Sequence, residues 1–368
     1  MPKIDDGQLK KSIMWEYIGE IKGLLSNNNY ALAAKELLKQ IDIDKLNEII
    51  FVAHGSSYNV SVIASHWLGE FAGVKSRCFM PMSFNYHINT SDTIYDREET
   101  LIVAISQTGT SRGTIEAIEH AKKLGYKVLT ITDVIDTPVA NLGDYYLNIG
   151  CGEENSNAKT KGVCCTLVLL EIFAIELGLL KGALSQEKYK AINKEIDLSI
   201  KEIDGVIDKT VDWIKNCEFG TNVKDICFLG YGKNDGTILE GMLKLIETMC
   251  IPATSTDIEE FSHGLHRYIS KDSHLVIVNT GGIGGNEAIR TYDYFKTKIN
   301  NCLLINGAEP IIDDKQVINI SEKKYTQSAL CIMLIFHILS VAIPEKNGLD
   351  PNADSNDEYT KFIKTRVE

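Results

Sequence analysis

Residues 101–113 read LIVAISQTGTSRG, and their character changes at Ser106. Residues 101–105 are apolar and partly β-branched, the composition of a strand buried on both faces of a parallel sheet. Ser106, Gln107, Thr108, Gly109, Thr110 and Ser111 follow, and a helical pattern starts at Thr114. Turn chemistry at such a junction asks for one Gly and one capping hydroxyl. Four hydroxyls and an amide in six residues point instead to a ligand rich in oxygen, held where backbone N–H groups of a helix start already favour an anion.

The same strand-then-helix alternation extends in both directions. Residues 49–53 precede a helix over 60–72, residues 127–132 form a third strand, and a long apolar helix covers 162–179. A second set follows: a strand at 226–230 and a helix over 237–250, then a strand at 275–279 and a glycine-rich loop at 281–285. A strand at 301–305 and a closing helix over 329–342 complete it. Placing Gly55 beside Gly232 also places Glu70 beside Glu247, so the chain reads as two copies of one α/β unit, each a parallel sheet between helical layers. The expected divisions are a helical arm over 1–35, a first domain over 36–182, a charged helical connector over 183–217, a second domain over 218–345, and a polar tail over 346–368.

The chain has 368 residues, 44% hydrophobic and 24% charged, long enough for two cores. No run is read as a bilayer span of about 20 residues, and MPKIDDGQLKK lacks the apolar core of a signal peptide. A cytoplasmic protein is expected. Nine cysteines without CxxC spacing fit buried thiols better than disulfides or zinc, and no metal or cofactor is expected. A net charge of −12 weighs against nucleic acid as a partner, yet leaves room for a phosphorylated small molecule held by backbone N–H groups. In an open parallel sheet, ligands bind beyond the carboxyl ends of the strands at the switch in strand order. That places the HGSSYN loop (54–59) and the SQTGTS loop (106–111) together. The second copy has glycine-rich, hydroxyl-poor loops at the matching places.

HGSSYN after one strand and SQTGTS after the next resemble the sugar isomerase (SIS) family of phosphosugar-binding domains. From about residue 14 onward the chain is similar to the tandem-SIS isomerase half of glucosamine-6-phosphate synthase and to fructosamine-6-phosphate deglycases. LEGMLKLIE (239–247) resembles the family's LEGALKLKE, EEFSHG (259–264) its GELKHG, EENSNAKTKG (153–162) its EIGVASTKAF, and FIKTRVE its C-terminal LAKSVTVE. The resemblance implies two flavodoxin-like three-layer αβα subdomains. It implies Glu247 as the base that moves a proton between C1 and C2, His263 as the ring-opening acid–base group reaching a neighbouring subunit, and Lys364 as the tail lysine near the open-chain carbonyl. His266 is the rival of His263, and Lys361 that of Lys364. Gly55, Ser56, Ser57, Ser106, Gln107, Thr108, Ser111, Lys159 and Lys244 are the implied substrate-binding residues. Lys159 replaces a family Ser and Asn157 a Val, which points away from fructose 6-phosphate itself.

No glutaminase part is read in the chain, so glutamine-driven amidation is not expected. The expected activity is that of a phosphosugar isomerase of deaminase or deglycase type, acting on an amino or amine-conjugated hexose 6-phosphate as a homodimer, without nucleic acid or membrane. The alternatives are a simple aldose–ketose isomerase, a non-catalytic phosphosugar sensor and a structural paralogue. A sensor usually has a DNA-binding segment, and residues 1–48 show no basic helix-turn-helix pattern. The sugar epimer, the amine and the oligomer size are not legible.

Overall fold

The computed structural model describes residues 9–88, 96–320 and 329–367. Residues 1–8 of the expected arm, 321–328 of the second domain and Glu368 of the tail motif lie outside the described residues. The chain sorts into two compact units. One comprises Gly23–Glu154, Lys161–Lys194 and Asp354–Glu368; the other comprises Met1–Lys22, Asn155–Thr160 and Glu195–Ala353. Each holds one five-stranded sheet.

In the first unit the strands are β1 (Glu48–Ala53), β2 (Lys75–Phe79), β3 (Thr100–Ile105), β4 (Lys127–Thr132) and β5 (Tyr145–Asn148), in the order β2-β1-β3-β4-β5. In the second they are β6 (Ile226–Gly230), β7 (Ala253–Asp257), β8 (His274–Asn279), β9 (Asn301–Asn306) and β10 (Val317–Asn319), in the order β10-β9-β8-β6-β7. Every pairing is parallel. Numbered within its own copy, each sheet has the flavodoxin-like order with its switch point between the first and third strands. The internal repeat is therefore a repeat of topology.

Alternation along the central strands explains their continuous apolar runs. Ile50, Val52, Ile102 and Ala104 face a core with Phe84, Ala117, Ile118 and Val139, from the helices Pro81–His87, Arg112–Lys123 and Pro138–Leu142. Neighbours such as Ile49 and Phe51 must then fill the opposite face. In the second unit Cys227, Leu229, Leu275 and Ile277 pack with Ala288 and Tyr292 of the helix Gly285–Phe295, while Phe228 meets Phe336 edge-on at 5.3 Å on the other side. The helices Lys161–Leu180 and Ala329–Lys346 are apolar all round, as buried helices are. By length and composition both could cross a membrane, contrary to the sequence reading; here they are core helices, with 83% and 89% of their apolar windows buried.

Several elements differ in extent from the sequence expectation. The closing helix passes through Pro344 to Lys346, and the tail contains the helix Asp357–Ile363. The helix after β1 starts at Gly55 and ends in a π-helical turn at Leu68–Ala72. The nine cysteines are free, six of them buried.

Candidate active site

At the first switch point, the helices Gly55–Trp67 and Arg112–Lys123 begin at the carboxyl ends of β1 and β3. The 106–111 loop turns tightly because the Ser106 carbonyl accepts the Gly109 N–H at 3.0 Å. Gly109 has φ +69°, and a Cβ there would lie 2.0 Å from Thr137 Oγ1, so both backbone and space require glycine. The hydroxyls form short chains. Thr108 and Thr110 are 3.2 Å apart, Thr114 donates to Ser111 at 3.1 Å, and Ser111 lies 3.4 Å from His54 Nδ1. Ser106 is buried, and Ser56 and Ser57 are half-buried in the first turn of their helix. First-turn N–H groups have no intrahelical acceptor, so the two helix starts offer donors alongside these hydroxyls, the chemistry an anion cradle needs.

Gln107 has a different position from its neighbours. Its amide nitrogen donates to Glu154 Oε2 at 3.0 Å, and its side chain lies against Gly162, where a Cβ would come within 2.2 Å. Glu154 in turn accepts the N–H groups of Lys161 and Gly162 at 3.0 and 3.1 Å, a charged cap on the long core helix. Gln107 thus ties the cradle to that helix start, and Glu154, read only as a motif match, is the residue that makes the tie.

The tail docks on the same loop. Arg112 N–H donates to Thr365 O at 3.1 Å, Val367 N–H to Thr110 O at 3.0 Å, and Ser111 bridges Arg366 in antiparallel fashion. Lys364 stands just before this docked segment as the exposed cap of the tail helix, at φ 54°. A left-handed lysine costs about 1–2 kcal/mol, and the docking on its far side holds it there. Lys361 lies inside the helix.

In the second unit, Glu247 lies on the helix Asn234–Met249 and accepts a hydrogen bond from Lys244. The Lys244 ammonium is also 3.6 Å from Glu240, and His337 Nε2 is 3.5 Å from the same Glu240 oxygen. Lys244, Glu240 and His337 are fully buried, whereas 31% of the Glu247 side chain remains open. Removal from water raises the Glu247 pKa, against the opposing pull of the Lys244 charge. A partly open carboxylate with a raised pKa suits proton transfer.

His263 follows the short helix Ile258–Phe261, and residues 262–268 are all exposed. Its rival His266 places Nδ1 3.2 Å from Phe261 O, a structural contact. Lys159 donates to Ser156 O at 2.9 Å, and Asn157 pairs with Asn352 through both its backbone N–H and its amide.

The second switch point is built in another way. Tyr231 occupies the place of His54 in the repeat, and its hydroxyl meets Asn279 Oδ1, Gly281 O and Thr280 N, each at 3.0 Å. Its ring lies across Gly284, where a Cβ would come within 2.7 Å. Asn234 donates to Thr280 Oγ1 at 2.9 Å. These polar groups satisfy one another.

The first doubly wound sheet has its hydroxyl-rich loop at the switch point, and residues 42–176, which include that loop, match the SIS domain model. The chain carries a SIS domain and is homologous to the isomerase half of glucosamine-fructose-6-phosphate aminotransferase. It is 26% identical over 260 residues to the isomerizing glutamine–fructose-6-phosphate aminotransferase of Caldanaerobacter subterraneus, covering 71% of this chain and 42% of that protein. The chain spans about half the length, or less, of the curated relatives it matches. Among solved structures, a Clostridium difficile 630 protein provisionally described as a phosphosugar isomerase is 28% identical, with a TM-score of 0.85 over 96% of this chain and 99% of that one. The C-terminal domain of the Francisella tularensis aminotransferase, 23% identical, shares the fold with a TM-score of 0.81 over 93% and 98% of the two chains.

Proposed function

We propose that the protein is a phosphosugar isomerase-type enzyme that releases an amine from an amino or amine-conjugated hexose 6-phosphate, as a deaminase or deglycase does. The observation that carries this reading is Glu247, a partly open carboxylate whose pKa is raised by burial beside the buried Lys244. The cradle of Ser106, Thr108, Ser111 and the Gly55–Ser56–Ser57 helix start binds the 6-phosphate, with Gln107 bracing it through Glu154. Glu247 takes a proton from one of C1 and C2 and returns it to the other. An amine-bearing carbon thereby becomes an imine, and water cleaves that imine to a carbonyl and the free amine.

His263 opens the sugar ring in a homodimer, supplied to the partner copy. The wholly exposed 262–268 segment, with Leu265 and Tyr268 at 38% and 40% exposure, favours burial against a second copy. Lys364, placed by the docked tail, approaches the open-chain carbonyl. Lys159 selects a substrate with an anionic or extended substituent on the amine. The reading includes a cytoplasmic setting and no cofactor.

Product analysis by mass spectrometry tests it, with a panel of phosphorylated fructosamines, glucosamine 6-phosphate and fructose 6-phosphate. Release of amine with a hexose 6-phosphate is expected. Isomerisation without amine release makes the protein an aldose–ketose isomerase, and tight binding of a panel member without turnover makes it a phosphosugar sensor.

A further inference from the structure

The Glu240–Lys244–Glu247 row runs along one face of a helix at i, i+4 and i+7, so one ammonium stands between two carboxylates. Two anions compete for it. The one that binds Lys244 more strongly draws it from the other, and Glu240, fully buried, is in the drier place. An ionised carboxylate there needs more than one partner to offset desolvation. The facing helix brings an imidazole near: His337 Nε2 lies 3.5 Å from Glu240 Oε1, within ion-pair reach when the imidazole is charged and without a hydrogen bond between the two atoms, and His337 is fully buried. Its backbone is fixed in turn, since Ser340 Oγ donates to the His337 carbonyl at 2.7 Å, and Thr248 Oγ1 donates to that of Lys244 at 2.8 Å.

We propose that His337 is a positioning residue for Glu247, acting through Glu240 and Lys244. Facing Glu240 at ion-pair distance, it lessens the pull of Glu240 on Lys244, whose ammonium orients Glu247 and holds its charged form. His337 touches no substrate in this scheme. Remove His337, and Glu240 draws more strongly on Lys244. Glu247 then loses both its orientation and part of its stabilisation as an anion.

The inference rests on the proposed role of Glu247, so its test has an arm that does not need turnover. In protein labelled with 13C at glutamate carboxyls, the resonance lost in Glu247→Gln is that of Glu247. Its titration midpoint is followed in wild type, His337→Met and His337→Gln. Met fills the space without a donor, while Gln keeps an N–H near the Nε2 place. The midpoint should rise in His337→Met and return toward wild type in His337→Gln, whatever their melting temperatures. A midpoint unmoved or lowered in His337→Met overturns the proposal, because Glu240 then holds its charge, or gains a proton, without histidine.

If the product panel shows turnover, kcat should fall about tenfold in His337→Met, the order of a one-unit electrostatic shift at the base, with KM unchanged. Little further loss should follow when Glu240→Gln is already present. Additive losses, or equal changes in kcat and KM, also overturn it. A wild type that turns over nothing refutes the enzymatic reading alone and leaves the titration to decide the role of His337.

Discussion

The two switch points have one topology and opposite chemistry. In the first, Ser106, Thr108, Thr110 and Ser111 surround a helix start beside His54. In the second, the loop is glycine-rich and Tyr231 fills the place of His54, its hydroxyl satisfied by Asn279, Thr280 and Gly281. The helices that follow β1 and β6 diverge in the opposite sense. Glu70, the counterpart of Glu247, sits in a π-helical turn, and the places of Lys244 and Glu240 are taken by the buried Trp67 and Ile63. Under the proposed function, two copies of one backbone plan divide the chemistry between them: anion binding in one, a proton-transfer carboxylate in the other.

The largest effect expected from this division is at the two glutamates. Positioned acid–base catalysis contributes about 10²–10⁴-fold, so Glu247→Gln should lower kcat by at least two orders of magnitude while a 6-phosphosugar binds nearly as before. Glu70→Gln should leave turnover within a few-fold of wild type. Steady-state kinetics with calorimetry for binding checks both, and equal losses from the two substitutions would remove the asymmetry. The pH profile sharpens it. The base works ionised, and burial raises its pKa, so the acid limb of kcat/KM should lie above the usual glutamate value of about 4.3. Activity is lost as pH falls through that limb and recovers as it rises. An acid limb below that range would contradict the assignment.

A smaller effect is expected at Tyr231. Tyr231→Phe leaves Asn279 and Thr280 without a shared partner and should cost about 1–3 kcal/mol of stability, read in chemical denaturation. Phosphosugar affinity should not change. Weakened affinity at equal foldedness would show the second switch point to be a ligand site.

Much of this was legible in the sequence, for identifiable reasons. The central strands are buried on both faces, so 101–105 and 226–230 read as apolar runs, and β4 and β6 have the expected limits. The edge strands β2, β5 and β7 read KSRCF, YYLN and ATSTD. They are half-exposed and polar, and neither an apolar run nor a clean alternation marks them. The helix Asp357–Ile363 has no buried residue, so no periodic apolar face announced it. In the candidate site, the 239–247 motif points to Lys244 and Glu247. It does not single out Glu240 or His337, although each leaves a signal: a carboxylate four residues before Lys244, and a lone imidazole within the apolar stretch 329–342. The roles proposed for them depend on a meeting of two helices distant in sequence, which spacing along one helix cannot show. Tyr231 escaped for the same reason, since its role depends on packing across Gly284.

The central claim is that the first switch point holds the phosphate. Isothermal titration calorimetry of one 6-phosphosugar, chosen from the panel as the tightest binder, tests it against wild type and Ser106→Ala combined with Thr108→Val. Each lost hydrogen bond to a charged oxygen is worth about 1.5–3 kcal/mol, so the dissociation constant should rise at least tenfold in the double variant, with circular dichroism unchanged. A double variant that is folded and binds the phosphosugar as tightly as wild type would contradict the account.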